Sequence, residues 1–250
     1  MKKLMFAATL AAVAMTSFGD VQSANCVGYY TVKVQASKMD LAGCAFVNVG
    51  GGDVDVQSIT LTDTTDGGTL LMFYDVTKGK YDTLSYYGEL YTDDSYSDDP
   101  PLPAGWGDNY IKVNKTINPG QGFWIKSDNA NDVTIPGQVV AANDNYVDVQ
   151  ASKMDLCANV FPVATDVQTI TLSDTTDGGT LLMFYDLVKG KYETLSYYGE
   201  LYTDDSYSDY PPLPAGWGDN YIKVNKTINP GQGFWIKSDS NNRVSFKSPL

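Results

Sequence analysis

Residues 88–109 form a long segment that combines aromatic, acidic and hydroxyl side chains. Connections longer than about 12–15 residues without regular structure are usually functional or disordered, and the aromatic rings of this one favour a packed loop. Such rings suit a sugar, because they stack on its apolar face while nearby acids accept hydrogen bonds from its hydroxyls. A ligand-binding loop, repeated at residues 199–220, is therefore one hypothesis, with the residues Tyr91, Tyr96, Trp106, Tyr202, Tyr207 and Trp217. We favour the alternative, in which Trp106 folds the loop down as a lid and the tyrosines cover a sheet face.

The same segment is rich in oxygen atoms of the kind that bind Ca²⁺, which takes six to eight hard oxygen ligands. A calcium site is therefore one hypothesis, with the ligands Asp93, Asp94, Asp98 and Asp99 in the first copy and Asp204, Asp205 and Asp209 in the second. The segment lacks the spaced aspartates and turn glycine of an EF-hand loop. A solvated acidic surface is the alternative, and no other cofactor is expected.

The sequence contains no histidine. This excludes Ser-His-Asp and Cys-His catalysis and the common zinc sites. A pair of carboxylates such as glycosidases use remains open, and Glu89 and Glu200 occupy equivalent positions for it. Because carboxylates are abundant throughout the chain, one such pair carries little weight. We therefore expect the protein not to be an enzyme.

The chain is a tandem repeat. Residues 59–128 and 170–239 differ at only five of 70 positions. The unit exceeds the ~20–50 residues of solenoid repeats and is long enough to fold as a domain. We predict module 1 over residues 25–136 and module 2 over residues 141–250, joined by a short linker that contains Pro136-Gly137.

The apolar pattern is typical of strands throughout. Thr69–Asp75 is apolar on both faces and predicts a central strand, and Lys78-Gly79 turns the chain into a hairpin with Tyr81–Tyr87. Gly122–Lys126 predicts another strand, and Val133–Ile135 a closing edge strand. Seven or eight short strands per ~110 residues predict an all-β fold of two tandem β-sandwich, jelly-roll-like domains.

Four motifs occur in a fixed order, namely Val27-Gly28-Tyr29, Met39-Asp40-Leu41-Ala42-Gly43-Cys44, Leu71-Met72-Phe73-Tyr74-Asp75 with Lys78-Gly79-Lys80-Tyr81, and Asn118-Pro119-Gly120-Gln121-Gly122-Phe123-Trp124-Ile125. This order resembles a functionally uncharacterised family of secreted bacterial β-domains. The resemblance covers both modules and implies a β-domain fold, with no catalytic residues to transfer. The chain departs from the family pattern at Cys44 and Ala45, where Asn-Pro is usual.

Residues 1–19 have the features of a secretory signal peptide, with Lys2 and Lys3 before the apolar run Leu4–Met15. Cleavage is expected after Gly19, or alternatively after residue 24. No later stretch is apolar enough for a membrane span, so we expect a secreted, extracellular or cell-surface protein without membrane insertion, the periplasm being the alternative. The cysteines Cys26, Cys44 and Cys157 suit small buried residues, with a Cys26–Cys44 disulfide or an intermolecular bond as alternatives.

Duplication favours binding over catalysis, because two weak sites gain avidity on a repetitive target. We therefore expect a non-catalytic surface or extracellular-matrix protein whose modules bind a glycan or another repetitive polymer, or assemble with each other through sheet edges. A tandem carbohydrate-binding module, with calcium support, is the alternative, and a carboxylate-based glycan-active enzyme comes third. The net charge of −13 argues against nucleic acid as a partner.

Overall fold

The computed structural model describes residues 27–140, 146–207 and 211–247. The predicted signal peptide, Cys26 and Asp209 lie outside these residues. The described chain is all-β, as predicted: it consists of antiparallel strands and two short 3-10 turns, Val56–Ser58 and Val167–Thr169. Within these ranges no helix is long and apolar enough to cross a membrane.

The first repeat contributes the strands of residues 27–139. They are β1 (Val27–Val34), β2 (Lys38–Gly43), β3 (Phe46–Val47), β4 (Val54–Asp55), β5 (Thr60–Leu61), β6 (Thr69–Asp75), β7 (Lys80–Leu90), β8 (Leu102–Asp108), β9 (Ile111–Lys112), β10 (Thr116–Ile117), β11 (Gly122–Ser127) and β12 (Asn131–Val139). A six-stranded sheet has the order β2-β11-β6-β7-β8-β9, and a second sheet has β12 between β1 and β3, with β5 also on β12. β4 and β10 form a separate pair.

The second repeat follows the same plan over residues 146–245. Its strands are β13 (Tyr146–Val149), β14 (Met154–Ala158), β15 (Thr165–Asp166), β16 (Thr171–Leu172), β17 (Thr180–Asp186), β18 (Lys191–Leu201), β19 (Leu213–Asp219), β20 (Ile222–Lys223), β21 (Thr227–Ile228), β22 (Gly233–Ser238) and β23 (Asn242–Ser245). The six-stranded sheet has the order β14-β22-β17-β18-β19-β20, and the smaller sheet has the order β13-β23-β16.

The predicted central strand and hairpin are confirmed. β6 lies between β11 and β7, and its hairpin with β7 closes at Asp75 and Lys80, where Gly79 takes the positive φ of 63° that the turn needs. The prediction of an edge strand at residues 133–135 is wrong. These residues belong to β12, which pairs with β1 on one side and with β3 and β5 on the other, so its apolar residues are buried between neighbours.

Each repeat buries its own apolar core between its two sheets. In the first, Leu71, Phe73 and Ile125 of the large sheet pack against the small sheet, which contributes Val133 and Ile135. The second repeat has the equivalent cluster around Phe184, Ile236 and Val244. Alternating apolar residues from two facing sheets account for this arrangement, since one face of each strand must leave water.

Cys44 and Cys157 are free and buried, in agreement with the expectation of small buried residues. The alternative of a Cys26–Cys44 disulfide involves Cys26, which lies outside the described residues. The Cys44 thiol donates to the carbonyl oxygen of Phe46 at 3.4 Å, and burial raises its pKa to about 12. Such a thiol stays protonated and behaves as a small apolar side chain.

A third apolar cluster joins the two repeats. It consists of Leu41 and Trp124 from the first repeat and Leu156 and Trp235 from the second. The contact is reciprocal: the backbone N–H of Gly43 donates to Gly231 at 3.0 Å, and the N–H of Ala158 donates to Gly120 at 2.8 Å. Since these are equivalent positions in exchanged roles, the repeats are related by an approximate two-fold axis, as subunits are in a symmetric dimer.

Candidate functional site

The predicted ligand-binding loop is mostly a pair of long strands. β7 continues to Leu90 and β8 begins at Leu102, with Tyr86 opposite Trp106 in the ladder, so only the residues between the two strands are irregular. The two glycines that flank Trp106 allow the side chains of Gln57 and Leu90 to pack against this strand. A Cβ atom at Gly105 would lie 2.3 Å from the Gln57 side chain, and one at Gly107 would lie 2.7 Å from Leu90.

The sugar-stacking role predicted for Trp106 and Trp217 is incompatible with their positions. Both indoles are fully buried, and each donates a hydrogen bond from Nε1 to a backbone carbonyl, Ile59 or Ile170, at 3.2 Å. Gln57 also holds the backbone of Trp106, accepting from its N–H at 3.0 Å and donating to its carbonyl at 2.6 Å. Both indoles pack in the apolar cores, and Trp106 lies in the strand Leu102–Asp108.

The predicted tyrosines lie at the surface, and further tyrosines pack beside them. Tyr91 meets Tyr96 edge to face, with centroids 5.1 Å apart, and beside them Tyr87 stacks on Tyr110 at 4.1 Å. We call these four residues the first tyrosine surface. The second repeat has the same two pairs at the same separations, 5.1 Å and 4.1 Å, and the second tyrosine surface consists of Tyr198, Tyr202, Tyr207 and Tyr221.

The backbone beneath the first tyrosine surface is strained. Asn109 and Tyr110 form the two-residue turn between β8 and β9 with φ of 48° and 67°, and Tyr96 has φ of 51°. Such turns favour Asn-Gly, because glycine carries no Cβ, whereas a bulky residue at positive φ is an outlier. Tyr207 and Tyr221 repeat the outliers, with φ of 51° and 67°. The chain therefore keeps tyrosines where glycine fits best, with Tyr96 and Tyr207 exposed and Tyr110 and Tyr221 half-buried. Strain of this kind concentrates at functional sites.

Hydrogen bonds hold the tyrosine hydroxyls and leave ring area exposed. Tyr91 donates to Glu89 at 3.0 Å, and this bond to the carboxylate is the main cause of the raised pKa of the Tyr91 phenol. The Tyr96 hydroxyl donates to the carbonyl of Asn109 at 3.2 Å, and its ring is 44% exposed. In the second repeat Tyr221 donates to Asp177 at 2.9 Å. The surfaces thus combine fixed rings with carboxylate acceptors.

Neither a protein-family model, nor a curated protein, nor a solved structure matches this chain. The resemblance to secreted bacterial β-domains therefore stays a prediction.

Within the part of the chain that the structure describes, the predicted calcium ligands do not assemble into a site. Asp93 accepts from the backbone N–H of Ser95 at 2.9 Å and from its hydroxyl, and these bonds lower the pKa of its carboxyl. Asp98 accepts from the N–H of Thr92 at 2.6 Å, and Asp204 repeats the bonding of Asp93. Within the described ranges no three His, Cys, Asp or Glu side chains gather as a metal-binding group, a finding that covers Asp94, Asp99 and Asp205. Asp93 and Asp98 instead hold the segment between β7 and β8.

Proposed function

We propose that this protein is a non-catalytic extracellular binding protein whose two β-sandwich modules hold the same repetitive polymer through their tyrosine surfaces. The observation that carries the proposal is the exposed tyrosine at positive φ, kept in both repeats where glycine would relieve the strain. Tyr96 and Tyr207 take this conformation with rings that are 44% and 43% exposed, so burial of the rings does not account for the strain.

The chemistry of the surfaces favours a neutral glycan as the polymer. Tyrosine rings stack on the C–H faces of sugars, and carboxylates such as Glu89 and Glu200 accept hydrogen bonds from sugar hydroxyls. The net charge of −13 repels anionic polymers. A polymer of uncharged sugars is the class that meets both conditions.

The duplication supplies avidity. Once one surface has bound, the second meets the same polymer at a high effective concentration, and the combined affinity can exceed that of one surface by about 10²–10⁴-fold. The buried cluster around Trp124 and Trp235 fixes the modules against each other, which lowers the entropy lost when both bind.

Strand addition between copies is the less favoured alternative. β1 pairs only with β12 in the described chain, so one of its edges is free. Lys33 lies on this strand with its side chain 82% exposed. A charged residue on an edge strand opposes further pairing, and natural sheets use lysine in this way.

The proposal is tested by gel affinity electrophoresis of the mature protein through neutral polysaccharides, with and without a chelator. Wild type should be retarded. Tyr96→Ala should reduce the affinity by about 10-fold or more through lost avidity, and Tyr96→Ala with Tyr207→Ala should abolish it. Tyr29→Ala, at a ring that is 73% exposed outside the tyrosine surfaces, is the matched control.

Two results would contradict the proposal: no retardation of wild type by any neutral polysaccharide, or retardation of the double variant equal to that of wild type. Loss of retardation on chelation alone would favour the calcium-supported alternative.

A further inference from the structure

One ion pair between the opening and closing strands is reversed between the two repeats. In the first, Lys33 of β1 lies opposite Asp132 of β12, with 3.8 Å between nitrogen and oxygen. In the second, Asp148 of β13 lies opposite Arg243 of β23, whose Nε and Nη2 atoms donate to the two carboxylate oxygens at 2.8 and 3.2 Å.

The reversed residues occupy the same place in the two folds. Val32 pairs with Val133 next to Lys33, and Val147 pairs with Val244 next to Asp148. The positions are therefore equivalent, and acid and base have changed sides together. The complementarity of the pair is kept while its direction is inverted.

Two nearly identical repeats are at risk of exchanging strands. Mispairing between similar domains is a typical folding failure of tandem arrays, and it also joins separate copies through swapped strands. The apolar residues do not prevent it here. Val133 and Val244 are both fully buried, and the opening strands present valine to each of them, so exchanged strands would bury the same side chains.

The charges do distinguish the partners. In the register that preserves the cores, an exchanged β1 would place Lys33 against Arg243, and an exchanged β13 would place Asp148 against Asp132. Like charges directly opposite each other on neighbouring strands are unfavourable. Neither exchanged pair keeps a complementary contact.

A second contact favours the same choice of partner. The Arg243 guanidinium lies 3.8 Å from the ring centroid of Tyr146, a residue of its own opening strand. The equivalent position of β1 is Thr31, which instead meets the Thr134 hydroxyl at 3.0 Å. An exchanged β1 would offer Arg243 no ring.

We propose that the reversed ion pair is a pairing code, which directs each opening strand to the closing strand of its own repeat and prevents strand exchange within the chain and between copies. The four side chains are 44–82% exposed, so each pair adds little to stability. Their role is to make the wrong partner less favourable.

The experiment traps exchanged strands with a disulfide. Thr31 faces Thr134 in the native fold and would face Ser245 after exchange. In a Cys26→Ala background, Thr31→Cys with Ser245→Cys should crosslink only in exchanged molecules, whereas Thr31→Cys with Thr134→Cys should crosslink in the native fold. Each protein is refolded from urea at high concentration, oxidised, and its crosslinked peptides are quantified by mass spectrometry.

The pairing code is then removed and restored in the variant that carries Thr31→Cys and Ser245→Cys. Lys33→Asp with Asp132→Arg copies the charges of the second repeat into the first. The native strand pairs then keep opposite charges, and the exchanged strand pairs gain opposite charges as well. The exchanged crosslink should rise about three- to tenfold. Adding Asp148→Lys and Arg243→Asp reverses both repeats and should return the crosslink to its original level.

The pairing code is refuted if the two-residue charge variant crosslinks no more than its parent, or if the four-residue variant stays as high as the two-residue one. Asp148→Lys with Arg243→Asp alone gives an independent route to matched charges and should raise the crosslink equally. Urea unfolding midpoints identify any variant that fails to fold. In that case the charge variant of the other repeat provides the test.

Discussion

The indole of Trp124 meets the ring of Tyr185 edge to face, with centroids 5.5 Å apart, although the two residues belong to different repeats. The two-fold relation produces a second contact, between Tyr74 and Trp235 at 5.2 Å. Each repeat thus contributes one tryptophan and one tyrosine to the contact. The exchanged roles make this interface self-complementary.

Truncation of Trp235 should destabilise the protein in a way that depends on Tyr74. Trp235→Ala should lower the free energy of unfolding by about 3–5 kcal/mol, because the side chain is almost fully buried. A double-mutant cycle with Tyr74→Ala, measured by urea unfolding, should give a coupling of about 0.5–1.5 kcal/mol. The remote Tyr96→Ala should be additive with Trp235→Ala. Equal coupling in both cycles would mean that the two rings do not interact across the interface.

Gly43 is expected to tolerate no side chain unless its counterpart loses one. A Cβ atom at Gly43 would lie 1.9 Å from the Cβ of Ala158. Gly43→Ala should therefore cost about 1–3 kcal/mol of unfolding free energy, as overpacking does. Adding Ala158→Gly should recover most of that loss in the same denaturant titration. A double variant as unstable as Gly43→Ala would contradict the close approach of Gly43 to Ala158.

The buried thiols should make the protein sensitive to alkali. Burial raises the pKa of Cys44 to about 12 and raises that of Cys157 as well, whereas an unfolded cysteine ionises near 8.5. Below the unfolded value the contribution to stability is complete, and it is lost as the pH rises towards the folded value, because only the unfolded chain releases the protons. Urea midpoints should therefore fall above about pH 8.5, and less steeply in Cys44→Ala. An identical decline in that variant would exclude the thiol as a cause.

Thiol accessibility provides a second measurement of the same groups. In a Cys26→Ala background the folded protein should not react with a thiol reagent at pH 8, because both remaining thiols are buried and protonated. Unfolding in urea should expose two reactive groups. Rapid labelling of the folded protein would contradict the burial of Cys44 and Cys157.

Asp40 carries a charge in an unfavourable place. Partial burial raises the pKa of its carboxyl, and the bond from the Leu41 N–H offsets only part of this. The protonated form stabilises the fold at pH values below the unfolded pKa, and that stabilisation is lost as the pH rises through the folded value. Asp40→Asn keeps the acceptor without the charge, so it should raise the urea midpoint at pH 7 and have little effect at pH 3.

Asp75→Asn is the control, because it should shift the urea midpoint at pH 7 in the opposite direction to Asp40→Asn. The hydrogen bond from Lys78 holds the pKa of the Asp75 carboxyl below its usual range, so its stabilisation is present above the unfolded pKa and is lost on acidification. Asp75→Asn should lower the midpoint at pH 7. If both variants shifted the midpoint in the same direction, the opposite pKa shifts of Asp40 and Asp75 would be refuted.

The strands were predictable, while their partners were not. The apolar run of β6 and the Lys78-Gly79 turn identify a hairpin, because both signals are local. β12 was predicted at an edge, since its alternation shows that one face is buried but not that β1, about a hundred residues away, covers one of its sides. Long-range pairing leaves no mark on a short window of sequence.

The candidate site was predicted in part for the same reason. Tyr91 and Tyr96 were identified from composition, and they lie on the surface. For Trp106 both a ligand contact and an inward-folded ring were open, because an indole in an acidic segment gives no sign of whether its ring points inwards; the structure buries it. Tyr110 was missed, since turn rules expect glycine at its position and the structure breaks that rule.

The approximate two-fold axis has a consequence for behaviour on dilution. Separate domains that met through a face of this kind would come apart as their concentration fell, but residues 140–145 join them covalently, so the contact is unimolecular and independent of concentration. A self-complementary contact also uses up the surface that makes it, and so it ends at two units and does not propagate into fibres. The two repeats of one chain therefore keep their dimer-like contact at any dilution.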